Sequence, residues 1–219
     1  MRGVELERDV AIPVRGGALG GSLVVPVDAR GIVLFAHGSG SSRFSSRNRQ
    51  VAGGLQSAGF ATLLFDLLLP AEEAEDEYTG EYRFDVGLLA HRLRVATRWA
   101  RQEPEVSALP MAYFGASTGA AAALIAAADE PLVGAIVSRG GRPDLAGDTL
   151  ARVVAPTLLI VGGADTLVLE LNKRALGKLG STTKELAVVP GATHLFEEPG
   201  ALEEVTRLAV DWFRRYLRR

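Results

Sequence analysis

The chain has 219 residues, 47% of them apolar, a formal net charge of −2 and no cysteine. That length supports one substantial core, so a single domain over residues 1–219 is expected. The small net charge argues against a nucleic-acid footprint or an electrostatic membrane anchor. The absent thiols exclude disulfides, thiolate metal sites and a cysteine nucleophile.

Residues 4–14 alternate apolar with charged or small side chains, which predicts a half-exposed edge strand. Gly16-Gly17 turns the chain into a second strand over 19–25, making a hairpin. Residues 32–36, IVLFA, form a continuous apolar run, as expected of a strand covered on both faces. It ends in His37-Gly38-Ser39-Gly40-Ser41-Ser42. A helix over 48–58 and a buried strand over 60–65 follow, the latter closed by Asp66. Residues 71–83 hold the acidic cluster Glu72, Glu73, Glu75, Asp76 and Glu77, and are read as a solvated loop, with a mobile flap as the alternative. Residues 86–101 are amphipathic, with Leu89, Leu93, Ala96 and Ala100 on one face.

A short strand from Met111 then runs into Gly115-Ala116-Ser117-Thr118-Gly119 and an alanine-rich helical run over 120–128. Further strands are expected over 132–137, 156–161 and 185–189, with a helix at about 167–179 before the last of them. The final helix is expected to begin near Pro199, with Leu202, Val205, Ala209, Trp212 and Phe213 in its core stripe. The alternation of strands and helices predicts an α/β fold. Its central sheet is mostly parallel with an antiparallel N-terminal edge, and helices lie on both faces. The charged N-terminus, MRGVELERDVAIP, lacks an apolar leader core, and no apolar run nears the ~20 residues of a membrane span. A soluble, cytoplasmic protein is expected, as a monomer or small homo-oligomer.

Ligands of open parallel sheets collect outside the carboxyl ends of the strands. Four such ends here deliver groups suited to acyl transfer. The G-x-S-x-G pattern sets Ser117 on a strand-to-helix turn as the candidate nucleophile. A serine hydroxyl needs a base, and only His37, His91 and His194 are available. His91 lies in mid-helix and reads as a surface residue, and His37 as a shaper of its glycine loop. His194, after the last strand, is the candidate base. The imidazole needs a carboxylate, and Asp165 ends a strand between Ser117 and His194, with Asp66 as the fallback. For a tetrahedral oxyanion, the donors are expected to be the Thr118 and Ser39 N–H groups, with Gly40 as the alternative to Ser39. Arg43, Arg47, Arg139 and Arg142 follow strand ends near the same rim. Arg43 and Arg139, together with Gly40, are candidates to touch the substrate, the arginines through a carboxylate or phosphate. Pairing with Asp66, Asp144 or the acidic cluster is the competing expectation. No histidine or acidic spacing suits a metal, and neither a metal nor a cofactor is expected.

With these residues assembled, the chain resembles the α/β-hydrolase superfamily over nearly its whole length. Within it, the chain is similar to the dienelactone hydrolase family of small members without a large cap. The resemblance is carried by His37-Gly38-Ser39-Gly40-Ser41-Ser42, Gly115-Ala116-Ser117-Thr118-Gly119, Val161-Gly162-Gly163-Ala164-Asp165 and Gly191-Ala192-Thr193-His194-Leu195-Phe196. It implies a catalytic Ser117, Asp165 and His194, and ester hydrolysis. Dienelactone hydrolases proper use a cysteine nucleophile, so Ser117 fits a general carboxylesterase better. Residues 138–155 are too few for a multi-helix cap, which favours small or short-chain esters. Acyl transfer or lactone hydrolysis on the same residues is the nearest alternative, and a non-catalytic scaffold a more distant one. Similar chains sometimes stand beside a phosphoribosyltransferase domain, and none is expected here. The expected partner is a small-molecule ester, with neither nucleic acid nor membrane.

Overall fold

The unbroken apolar runs become the centre of a sheet, and the alternating ones its edge. The structure, a computed structural model, describes residues 4–217. Its strands are β1 (Val4–Val14), β2 (Gly17–Pro26), β3 (Ile32–Ala36), β4 (Ala61–Phe65), β5 (Met111–Ala116), β6 (Val133–Arg139), β7 (Thr157–Gly162) and β8 (Lys184–Val189). They form one sheet in the order β1-β2-β4-β3-β5-β6-β7-β8. β2 pairs antiparallel with both β1 and β4, and every other pairing is parallel. Every residue of β3, β4, β5 and β7 is buried, as the continuous apolar runs require.

The helices are α1 (Ser46–Ser57), α2 (Pro70–Thr79), α3 (Val86–Ala100), α4 (Thr118–Ala128), α5 (Thr166–Lys178) and α6 (Ala201–Tyr216). α1 and α6 cover one face, where Val51, Leu55, Val205 and Phe213 pack with Phe35 and Phe114 of the sheet. Phe35 and Phe114 meet with ring centroids 4.9 Å apart. α3, α4 and α5 cover the other face, where Leu89, Leu93, Leu124 and Ala175 pack with Leu34, Tyr113 and Ile136. β3, β5, β6 and β7 are parallel, so their carboxyl ends share one rim.

Two expectations are corrected. Residues 71–83 are not a solvated loop: they form most of α2, then a single 3-10 turn over Tyr82–Phe84. Pro70 opens the helix, and the Leu69 N–H donates to Glu72 Oε2 at 2.8 Å. Arg92 of α3 binds the other Glu72 oxygen at 2.6 Å. Asp76 is buried and receives the Arg83 N–H and Nε–H at 3.0 and 2.5 Å. Two of the five acids, Glu72 and Asp76, are thus turned inward, one held by Arg92 of α3 and the other by Arg83 at the end of the segment. The second correction is at the last helix, which begins at Ala201, after a left-handed Gly200 (φ +81°) that leaves Pro199 in the preceding turn. Other element ends lie within two residues of expectation.

Between β6 and β7 the chain makes only 3-10 turns over Pro143–Arg152, kinked at Gly147, so no helical cap stands there. Among the described residues, no helix is long and apolar enough to cross a membrane.

Candidate active site

Ser117 sits between β5 and α4 with φ +50° and ψ −121°, a backbone conformation that non-glycine residues rarely hold. Its backbone is tied on both sides: Ser117 N–H donates to the Arg139 carbonyl, and the Ser117 carbonyl accepts from Ala120 and Arg142. The flanking glycines are a steric need. A Cβ on Gly119 would lie 2.2 Å from the Ala36 carbonyl oxygen, and one on Gly115 would lie 2.5 Å from the Ala120 Cα. The serine side chain does not cap α4. The capping explanation for its position therefore fails, and a half-buried hydroxyl is left facing a cavity.

Asp165 precedes α5 and likewise makes no side-chain cap. Its Oδ2 lies instead 2.6 Å from His194 Nδ1. That contact depends on close approach of two strand ends, since a Cβ on Gly162 would meet the Ala192 oxygen at 2.3 Å. Glu198 Oε1 accepts from the Thr193 N–H and hydroxyl at 3.0 and 2.6 Å, bracing the loop that carries His194. His194 and Ser117 line the same cavity of about 220 Å³, and His194 Nε2 has no hydrogen-bond partner among the described residues. The two make no hydrogen bond in this structure, a separation common before substrate is bound. Asp66, the fallback carboxylate, is engaged with the Arg43 guanidinium and backbone N–H. His91 is exposed on α3.

His37 shapes its loop. Its Nδ1 is 2.9 Å from the Gly38 carbonyl, and its Nε2 accepts the Leu67 N–H at 3.1 Å, which fixes a neutral ring protonated on Nδ1. Burial pushes its pKa below 6.5. The unfolded histidine then binds a proton that the folded one refuses. Stability is therefore full above pH 6.5 and falls as pH drops below it. Urea unfolding at about pH 7.5 and about pH 5.5 should show this acid loss, and His37→Gln should lessen it.

The Thr118 N–H opens α4 without a backbone partner and faces the helix's positive end. The Ser39 N–H is not free: it donates to Thr118 Oγ1 at 2.9 Å. Gly40 lies on the far side of the loop, lining a neighbouring cavity of about 230 Å³ beneath α2.

The rim arginines divide. Arg43 is paired with Asp66, the competing expectation for it, and does not line the Ser117 cavity. Its strand-end carboxylate was the nearer partner. Arg142 is held bidentately by Asp144. Arg139 and Arg47 do line the cavity, and so does Asn48, which periodicity places only at a helix start. No sequence signal distinguishes that asparagine. Among the described residues, no group of histidine or acidic side chains suits a metal ion.

The family model for the dienelactone hydrolase family matches residues 19–217. A Mycobacterium tuberculosis protein, provisionally named a phosphoribosyl transferase, is 60% identical over 209 residues, 94% of this chain and 46% of that protein. The chain thus spans about half the length of that curated relative. The solved dienelactone hydrolase from Anabaena variabilis is 56% identical, with a TM-score of 0.94 over 97% of this chain and 99% of that one. Est1E from Butyrivibrio proteoclasticus shares the fold at 17% identity, with a TM-score of 0.79 over 94% and 98% of the two chains.

Proposed function

Since the chain belongs to the dienelactone hydrolase family, we propose that this hydrolase is a serine carboxylesterase of small or short-chain esters, working through an acyl-enzyme on Ser117. The observation that carries the proposal is the pairing of a strained, uncapped Ser117 with the His194–Asp165 contact on one cavity.

In this reading, His194 Nε2 takes the Ser117 proton as Oγ attacks the ester carbonyl, and Asp165 steadies the imidazolium through Nδ1–H. The tetrahedral oxyanion receives the Thr118 N–H and a second donor from the His37 loop. For Ser39 to be that donor, the Thr118 hydroxyl must turn away and release it. His194 then protonates the leaving alcohol, and water repeats the sequence on the acyl-enzyme. The second cavity, which Leu67, Leu68 and Leu89 line together with the charged Glu73, Asp76, Glu77 and Arg83, has room for a short acyl chain.

p-Nitrophenyl acetate and butyrate should be hydrolysed at least about 10-fold faster than the palmitate ester, as measured by kcat/KM. Faster turnover of palmitate would overturn the short-chain reading.

A further inference from the structure

Arg139 is 8% exposed, lines the Ser117 cavity and has no counter-ion among the described residues. Its Nη1 is buried without a hydrogen-bond partner, whereas Arg43, Arg83 and Arg142 each hold an aspartate. Two further buried atoms of the same cavity are unsatisfied, Arg47 Nε and Asn48 Oδ1. Arg47 shares only Nη1 with Glu197, at 3.1 Å, and no carboxylate lines the cavity. An unpaired buried guanidinium is unfavourable in the empty protein, so the site is completed by a ligand that brings the opposite charge.

The side of the ester that carries this charge follows from the chemistry. This step rests on the serine esterase reading above. His194 must hand its proton to the leaving oxygen, and His194 lines the Arg139 cavity, so the alcohol half lies there. The second cavity, across the 38–41 loop, is lined by Glu73, Asp76 and Glu77 against one cation, Arg83, which Asp76 already pairs, so its net negative lining disfavours an anionic acyl chain.

We propose that Arg139, with Arg47 beside it, binds a carboxylate or phosphate on the alcohol half of the ester, so that the substrates are acyl esters of hydroxy acids or of phosphorylated alcohols. Water is consumed and the acyl–oxygen bond breaks. The products are a carboxylic acid and a hydroxyl compound that keeps its anion. Burial, and then the neighbouring Arg47 charge, lower the Arg139 pKa to about 10, still cationic at neutral pH.

The test compares hydrolysis of carboxymethyl butyrate and 2-(butyryloxy)ethyl phosphate with that of ethyl butyrate and monoethyl succinate. Each rate is divided by its hydroxide-catalysed rate. One or both esters with an anionic alcohol should exceed ethyl butyrate by roughly 10- to 100-fold in kcat/KM, the range of a charge-assisted contact. Whether the carboxylate or the phosphate arm responds identifies the anion. Arg139→Met should collapse that ratio, and Arg139→Lys should keep part of it, with circular dichroism confirming that both fold. Preference for monoethyl succinate, or a ratio unchanged in Arg139→Met, would overturn the proposal. Calorimetry on Ser117→Ala protein separates the two readings. Binding of carboxymethyl butyrate that is lost on adding Arg139→Met upholds the anion site even if no ester is turned over. Failure to bind it overturns the site even if neutral esters are hydrolysed.

Discussion

Asp165→Asn is expected to lower kcat on p-nitrophenyl butyrate by about 10⁴-fold, with little change in KM. The carboxylate lies 2.6 Å from His194 Nδ1 and has no competing duty at the start of α5. An asparagine there can present its NH₂ to Nδ1 and so favour the tautomer with the proton on Nε2. That nitrogen then cannot accept the serine proton. No other carboxylate takes over, because Asp66 is committed to Arg43. The melting temperature should move little, which separates this loss from unfolding.

Ser117→Ala should cost at least about 10⁴-fold in kcat, since it removes the proposed nucleophile. Ser117→Gly should be equally inactive yet more stable than Ser117→Ala by about 1–2 kcal/mol, measured by urea unfolding at unchanged slope. Alanine retains a Cβ at φ +50° and inherits the strain of the turn, whereas glycine releases it. Equal stabilities would mean that the turn stores no strain.

Much of this site was legible in the sequence because strand ends are local features. The runs ending at His37, Ser117, Asp165 and His194 each carry a strand signal followed by a loop residue, and parallel pairing alone brings such ends to one rim. What was not legible depends on partners far apart in the chain. The acidic run at 72–77 has a loop's composition, and its contact to Arg92 of α3 helps hold it as a helix wall. Of the four rim arginines, three-dimensional pairing takes Arg43, Arg142 and, through Nη1, Arg47, and leaves Arg139 without a counter-ion among the described residues. The Ser39 amide was named as a donor from its position, but its engagement by Thr118 Oγ1 is a side-chain contact that spacing does not encode.

The central claim is that Ser117 is the group acylated during turnover. A fluorophosphonate probe followed by peptide mass spectrometry tests it most directly. The account predicts one phosphonyl adduct on the Ser117 peptide, absent in Ser117→Ala and formed more slowly in Asp165→Asn. An unlabelled wild-type protein, or an adduct on another residue that persists in Ser117→Ala, would contradict it.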